Sequence, residues 1–457
     1  MNLNHKKVLV VGTGISGIGA AKLLKEVGAE VILYDSNEKL KKDDIRHRLA
    51  EKISDADTVD IVLGTLPETV IKQCDLAVIS PGVPADADFV NEIRAHGVDV
   101  WGEIELAYRY SKGRLAAITG TNGKTTTTTL VGEIFKAYFD SVFVVGNIGQ
   151  SYTEKALETT DRSVIAAEIS SFQLETISGF HPFVSAILNV TPDHLNRHYT
   201  MENYAAVKAS IMKNQTADDF AVLNYEDEYA RAAAAHTAAR VIFFSSARTL
   251  EDGYYYKDGE IVRAVSGEKR HICYENELKI LGIHNMENVM AAVAVAECFR
   301  VPSEIIYQTL IHFKAVPHRI EYVATKRGVD YYNDSKGTNT DAAIKAVQAM
   351  VKPTIVIGGG YDKKVTFDDW IEAFDGKVKK LVLLGATADQ IEACARAHGF
   401  NDIIRVSTLE EAVQVCAAQA SAGDAVLLSP ACASWGMFKN YEQRGDMFKA
   451  YVQALEA

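Results

Sequence analysis

Short apolar runs recur along the chain, and most of them end in a turn rich in Gly, Ser or Pro. Such runs fall at residues 8–11, 30–34, 76–79, 115–118, 141–145, 164–168, 185–190, 353–357, 381–385 and 425–428. Unbroken apolar runs of this length predict strands buried on both faces rather than half-exposed ones. Helical spacing lies between them, at 20–27 with Gly28 as a stop, at 130–135 and at 201–212. A longer Ala/Val-rich helix is expected over 288–299, where Val289, Val293 and Ala296 mark a buried face. Residues 220–280 read as richer in strand. Alternating strands and helices predict an α/β protein, with mostly parallel sheets covered by helices on both faces. The length of 457 residues fits three such modules, with boundaries expected at 1–102, 103–315 and 316–457.

Ligands in sheets of this kind bind beyond the carboxyl ends of the strands, so the turns carry the chemistry. Residues 118–128 read Ile-Thr-Gly-Thr-Asn-Gly-Lys-Thr-Thr-Thr-Thr, between a strand pattern and a helix pattern. This is the layout of a loop whose backbone N–H groups wrap phosphate at a helix N-terminus. Gly120 and Gly123 permit close approach, Lys124 reaches terminal phosphates, and the Thr125 hydroxyl suits Mg²⁺. Ile118 stands where the longer form of the pattern has its first glycine. A second loop, Gly12-Thr13-Gly14-Ile15-Ser16-Gly17, opens a strand–helix–strand unit that ends in Asp35. A helix N-terminus recognises phosphate rather than nicotinamide, so this loop fits any nucleotide diphosphate, including a sugar nucleotide.

Charge and cysteine usage narrow the classes. With 48 basic and 60 acidic residues the net charge is −12, which argues against nonspecific nucleic-acid binding. The six cysteines show neither Cys-x-x-Cys pairs nor zinc-type spacing with histidine. Scattered cysteines, a polar start at residues 1–7 and no apolar run near ~18 residues predict a cytoplasmic chain with no membrane span.

The segment Thr119-Gly120-Thr121-Asn122-Gly123-Lys124-Thr125-Thr126-Thr127 resembles the ATP loop of the Mur ligase family. Further segments agree in order: Gly146-Asn147-Ile148-Gly149, Glu168-Ile169-Ser170-Ser171-Phe172-Gln173-Leu174, Asn189-Val190-Thr191-Pro192-Asp193-His194, His284-Asn285 with Asn288, Pro317-His318-Arg319, and Asn333-Asp334-Ser335-Lys336-Gly337-Thr338-Asn339. Ser429-Pro430-Ala431-Cys432-Ala433-Ser434 and the short first module are similar to the member that adds D-glutamate. The resemblance implies a Rossmann-like domain for a UDP-sugar, a P-loop ATPase-like domain for ATP and a Rossmann-like domain for the incoming amino acid. The implied substrates are UDP-N-acetylmuramoyl-L-alanine, D-glutamate and ATP, the implied cofactor is Mg²⁺ at two sites, and a monomer is expected.

The resemblance also implies residue roles. Gly120, Thr121, Asn122, Gly123, Lys124, Thr125 and Thr126 would hold ATP, joined by Asn288, Arg319 and Asp334. Thr125 and Glu168 are assigned to one Mg²⁺; His194, and Lys208 as a CO₂-derived carbamate, are assigned to the second. Asp193 competes for a supporting role beside His194. Asn147 is expected to orient the substrate carboxylate, and Gly14, Ile15, Ser16 and Asp35 to hold the UDP end. Lys336, Thr338, Lys364, Ser434 and Tyr441 are the expected D-glutamate contacts, with Lys363 an alternative to Lys364 and with Cys432 and Trp435 expected to pack. Other readings are a nicotinamide-dependent oxidoreductase built on residues 8–35, which leaves the phosphate loop unused, a nonenzymatic nucleotide switch, and a related ligase taking a different amino acid.

Overall fold

The computed structural model describes residues 2–314 and 316–456, so residue 315, at the expected second boundary, lies outside it. The described residues form three sheets. The first contains β1 (Lys7–Val11), β2 (Glu30–Asp35), β3 (Asp60–Leu63), β4 (Leu76–Ile79) and β5 (Asp99–Gly102), all parallel, in the order 3-2-1-4-5. The chain reverses its direction of travel across this sheet between β1 and β4. The loop after β1 and the Ser80-Pro81-Gly82 turn after β4 meet there, and a Cβ on Gly12 would stand 2.6 Å from Ser80 Oγ. A switch point of this kind is the place where a doubly wound sheet accepts a nucleotide.

The second sheet comprises β6 (Arg114–Thr119), β7 (Val142–Gly146), β8 (Val164–Glu168), β9 (Val184–Ile187), β10 (Phe220–Asn224), β11 (Arg240–Ser245), β12 (Gly253–Lys257), β13 (Glu260–Val265) and β14 (Glu268–Tyr274), in the order 14-13-12-11-10-9-6-8-7. The β-rich stretch expected over 220–280 is β10 to β14. The third sheet comprises β15 (Glu321–Lys326), β16 (Val329–Asn333), β17 (Thr354–Gly358), β18 (Val378–Leu383), β19 (Ile403–Arg405) and β20 (Ala425–Leu428), in the order 15-16-20-17-18-19. Its β15–β16 pair is antiparallel and its other pairs are parallel.

Both faces of the sheets are buried, which accounts for the unbroken apolar runs. In the third sheet Val356, Leu381, Leu383 and Leu427 pack on one side with Trp370. Ile355, Ile357, Val382 and Val426 pack on the other with Phe448. Strands alternate side chains between faces, so each face receives every second residue. By contact density the chain divides into two units, residues 1–273 with 287–309, and residues 274–286 with 310–457. The first sheet, and the second apart from Tyr274 at the end of β14, belong to the first unit. They are tied at the helix Glu103–Tyr110, where the fully buried Glu105 carboxylate accepts from the backbone N–H groups of Ser178, Gly179 and Phe180 and from Arg109.

Several boundaries differ from the sequence reading. The first helix spans Ile15–Glu26 and begins at the glycine loop itself, not at residue 20. The strand expected over 185–190 stops at Ile187, and the next two residues hydrogen-bond the end of β6 and the loop after it instead, Leu188 and Asn189 through their backbones and Asn189 also through its side chain. The long Ala/Val helix starts early and spans Ile283–Cys298. Among the described residues no helix is long and apolar enough to cross a membrane.

Trp370 is fully buried, and its indole Nε1 has no hydrogen-bond partner among the described residues. Trp370→Ala is expected to cost about 3–5 kcal/mol of local stability in the third sheet. Trp370→Phe should cost clearly less, because no hydrogen bond is lost. Hydrogen exchange of the Thr354–Gly358 amides is the readout, and equal losses in the two variants would contradict this packing.

Candidate active site

In the first unit, β6 runs into the phosphate loop and the helix Lys124–Lys136 leaves it. The loop keeps its shape through side chains from neighbouring elements. Asn189 Oδ1 accepts from the Asn122 amide at 2.8 Å, and Asn189 Nδ2 donates to the Asn122 carbonyl at 3.1 Å. The Thr121 hydroxyl donates to the Thr191 carbonyl at 3.0 Å and lies 3.2 Å from the Tyr204 hydroxyl. Gly123 is left-handed, with φ 84°, and a Cβ there would stand 2.3 Å from Asn288 Oδ1. The same Asn288 oxygen accepts from the Thr127 hydroxyl at 3.2 Å, so Asn288 buttresses the loop and the first helical turn. Thr125 and Thr126 are buried in that turn.

Two lysines converge on one oxygen. Lys124 Nζ donates to the carbonyls of Gly120 and Thr121, and Lys208 Nζ donates to the same Gly120 carbonyl, all at 2.8 Å. Lys208 is 1% exposed, its nitrogen lies over the Tyr204 ring, and it has no salt-bridge partner among the described residues. Burial and then the charge of Lys124 push the Lys208 amine well below the usual lysine range, against a weaker pull from Asp193 and Asp227. Glu168 closes β8 and is 1% exposed. Its Oε1 accepts from Asn147 Nδ2 at 2.9 Å, and its Oε2 has no hydrogen-bond partner among the described residues. A buried carboxylate oxygen left open is costly unless a cation takes it.

His194 is left-handed at φ 53° and its ring packs at a tilt against Phe172, with ring centres 4.8 Å apart. Asp193 accepts from its backbone N–H and stands 3.6 Å from its ring nitrogen. The sequence reading missed His198 and Arg197. His198 is buried against the Ser171 hydroxyl, and burial followed by repulsion from His194 and Lys208 pushes it down to about 4, so it is neutral near neutral pH. Arg197 makes a bidentate pair with Glu175 and also donates to the Val83 carbonyl, joining the second sheet to the turn after β4. The Arg197-His198 pair follows His194 within one turn, which was the available signal. At the first glycine loop, Gly14 and Ile15 are exposed, and Ile15 is 81% exposed at a helix start. Ser16 hydrogen-bonds the buried Glu103, which also accepts from Gln173. Asp35 Oδ2 accepts from the Thr13 amide and hydroxyl, so this carboxylate braces the loop.

In the second unit, Asp334 follows β16 and is 1% exposed. It accepts from the Ser429 hydroxyl at 2.8 Å and from the Ile320 amide at 3.3 Å. Burial pushes its carboxyl up to about 6, with Arg319 pulling the other way. Arg319 Nε is buried and has no hydrogen-bond partner among the described residues. Lys336 Nζ lies 5.4 Å from the Tyr441 ring centre, and Thr338 follows in the same loop with its amide on the Lys336 carbonyl. Arg444, another residue missed from sequence, is 2% exposed and donates to Ser335 Oγ, to the Ser335 carbonyl and to the Cys432 carbonyl. It binds the Asp334–Thr338 loop to the loop holding the buried Ser434. Lys364 is exposed in a left-handed turn, whereas Lys363 stands over Trp435. Cys432 packs as expected, but Trp435 does not: it is 57% exposed beside Tyr361.

Family models match the chain in three consecutive segments. Residues 6–102 match the Mur ligase MurD-like N-terminal domain, residues 118–296 the Mur ligase middle domain, and residues 318–432 the Mur ligase glutamate ligase domain. A UDP-N-acetylmuramoylalanine--D-glutamate ligase of Lachnoclostridium phytofermentans is 54% identical over 456 residues, covering 100% of both chains. The ligase of the same name from Lachnospira eligens is 55% identical, again over 100% of both. Among solved structures, UDP-N-acetylmuramate-alanine ligase MurC from Thermotoga maritima aligns with a TM-score of 0.59 at 19% identity, covering 98% of this chain and 100% of that one. MurF ligase from Thermotoga maritima in complex with ADP gives 0.59 at 18% identity, covering 99% and 96%. At such identities these structures speak for the fold alone.

The position of Asp334 sets a pH dependence. A carboxyl with a folded pKa above its unfolded value holds its proton more tightly in the folded chain. Its stabilising contribution is therefore complete below about pH 4 and is lost as pH rises through about 6. The change is on the order of 3 kcal/mol. Asp334→Asn should flatten this part of the pH profile of the second unit, as measured by its unfolding midpoint. A variant whose profile parallels that of the parent over the whole range would contradict the assignment.

Proposed function

The chain belongs to the Mur ligase family, and from that premise we propose that it joins D-glutamate to UDP-N-acetylmuramoyl-L-alanine with ATP as the energy source, in peptidoglycan precursor synthesis. It is an ATP-dependent amide-bond-forming ligase. Full-length identity of 54% to a ligase of that name supports the reading most strongly. The phosphate loop, with Glu168 and Lys208 beside it, supports it from the side of chemistry.

A carboxylate does not react with an amine until one of its oxygens becomes a leaving group. An oxygen of the substrate carboxylate attacks the γ-phosphorus, the bond to the ADP oxygen breaks, and an acyl phosphate forms. The D-glutamate amine then attacks the acyl carbon, phosphate leaves, and the amine gives up a proton. Lys124 and the loop amides would take the triphosphate charge, with Thr125 and Thr126 in the first helical turn. Asn288, Arg319 and Asp334 are assigned to the nucleotide, and Gly14, Ile15, Ser16 and Asp35 to the UDP end. Asn147, already fixed on Glu168, would orient the carboxylate that is activated. For D-glutamate, Lys336, Thr338, Ser434 and Tyr441 are assigned, together with a lysine of the 363–364 pair.

Thr125 and Glu168 fit Mg²⁺, since both offer hard oxygen and Glu168 Oε2 stands open. Bound there, the cation would neutralise charge on the transferring phosphoryl oxygens. At the second position His194 and Lys208 do not suffice as they stand, because an amine is a poor ligand for Mg²⁺. Burial without a carboxylate partner, next to Lys124, favours Lys208 as a free amine. Its lone pair can attack CO₂, lose a proton and become a carbamate with the oxygens that the amine lacks. Lys208→Ala is expected to lose roughly a hundredfold or more of activity, and short carboxylates added to the assay should restore part of it. Full activity without the additive would remove the carbamate from the account.

Substrate choice is tested by phosphate release with Mg·ATP, UDP-N-acetylmuramoyl-L-alanine and a panel of amino acids. Stimulation by D-glutamate alone is expected. Equal turnover with L-glutamate or meso-diaminopimelate would refute the substrate assignment.

A further inference from the structure

Away from the strand tips, the second unit carries a cluster of metal-binding side chains that the proposed reaction does not use. Cys394 lies in the helix Ala388–Ala397, and His398 caps its C-terminus, with its amide on the Cys394 carbonyl. Residues at this spacing sit one above the other on a helix face. Asp368 opens the short helix Asp368–Glu372, and its Oδ1 lies 3.0 Å from His398 Nε2. One sulfur, one ring nitrogen and one carboxylate oxygen from Cys394, His398 and Asp368 all lie within 4.8 Å of one another. The other ring nitrogen of His398 faces Glu372 Oε1 at 3.7 Å.

We propose that Cys394, His398 and Asp368 form a binding site for a zinc-class divalent cation, with Glu372 orienting the imidazole. The donor set is that of a borderline-soft ion: thiolate and imidazole select Zn²⁺ over Mg²⁺, and a carboxylate completes three protein ligands with water as a fourth. A ligating histidine ordinarily gives its second nitrogen to a carboxylate, and Glu372, which faces that nitrogen at 3.7 Å, would close on it when the cation is bound. Binding displaces the thiol proton to solvent, and the cation offsets the two carboxylates gathered around His398. A helix that follows a parallel strand runs back antiparallel to it, so the C-terminus at His398 lies at the edge opposite the tips that carry Asp334 and Ser434. The cation therefore clamps two surface helices together and takes no part in ligation.

The test uses the full chain in excess Mg²⁺, with Zn²⁺ measured by competition against a chromogenic chelator and Co²⁺ as a spectroscopic substitute. One tight equivalent of Zn²⁺ is expected, and Co²⁺ should show a thiolate charge-transfer band with the intense visible bands of four-coordination. Cys394→Ser should abolish the charge-transfer band, and Glu372→Gln should weaken Zn²⁺ by about tenfold or more. Both variants should keep the parent's circular dichroism and ligase activity. Absence of a tight equivalent, a Co²⁺ spectrum with no thiolate band, or a band that persists in Cys394→Ser overturns the site.

Discussion

A loop that wraps phosphate must keep its backbone amides out of helix and sheet ladders, so something else has to hold it open. Asn189 meets that requirement here by pairing with both the amide and the carbonyl of Asn122. The loop then fixes the rest of the first unit's chemistry. It aims the Gly120 carbonyl at two lysines, sets the start of the Lys124–Lys136 helix, and leaves Thr125 and Thr126 in its first turn. Past the end of β9 the backbone bonds go to the end of β6 and the loop itself: Leu188 donates to the Thr119 carbonyl and the Asn189 carbonyl accepts from the Thr121 amide.

Electrostatics separates the two lysines that share Gly120. They stand on one oxygen, but Lys208 is fully enclosed, and desolvation disfavours its charged form. Glu168 is enclosed to the same degree, with one oxygen tied to Asn147 and one open. The unit thus stores an uncompensated carboxylate oxygen and an amine whose charge is disfavoured beside the Gly120–Lys124 loop. Features of this kind reduce stability and persist where a ligand needs them. In the second unit the enclosed Asp334 and the open Nε of Arg319 repeat the pattern.

The architecture was legible in the sequence because apolar runs of four to six residues mark doubly buried strands, and because glycine turns such as 12–17 and 120–123 follow those runs. The phosphate-loop residues carried their own pattern. Boundaries were less legible: the first helix starts at Ile15 because a glycine loop can open a helix directly, and no capping residue marks the start. Arg444 and Asn189 were missed as braces because their partners lie far off in sequence, Ser335 in one case and Asn122 in the other. Trp435 was expected to pack, but residue type alone does not show that its loop turns outward. The pairing of Lys363 with Trp435 depends on that same loop.

The contact between Gly123 and Asn288 reaches into the history of the chain. A single methyl group at 123 would intrude on the carboxamide that supports the loop, and a smaller residue at 288 would strand Thr127. Each position constrains what the other can become, although they lie in distant parts of the sequence. Substitution at 288 alone loosens the loop, and the left-handed backbone at 123 penalises any replacement even where room is made. Variation among descendants should therefore collect elsewhere, with this pair inherited together.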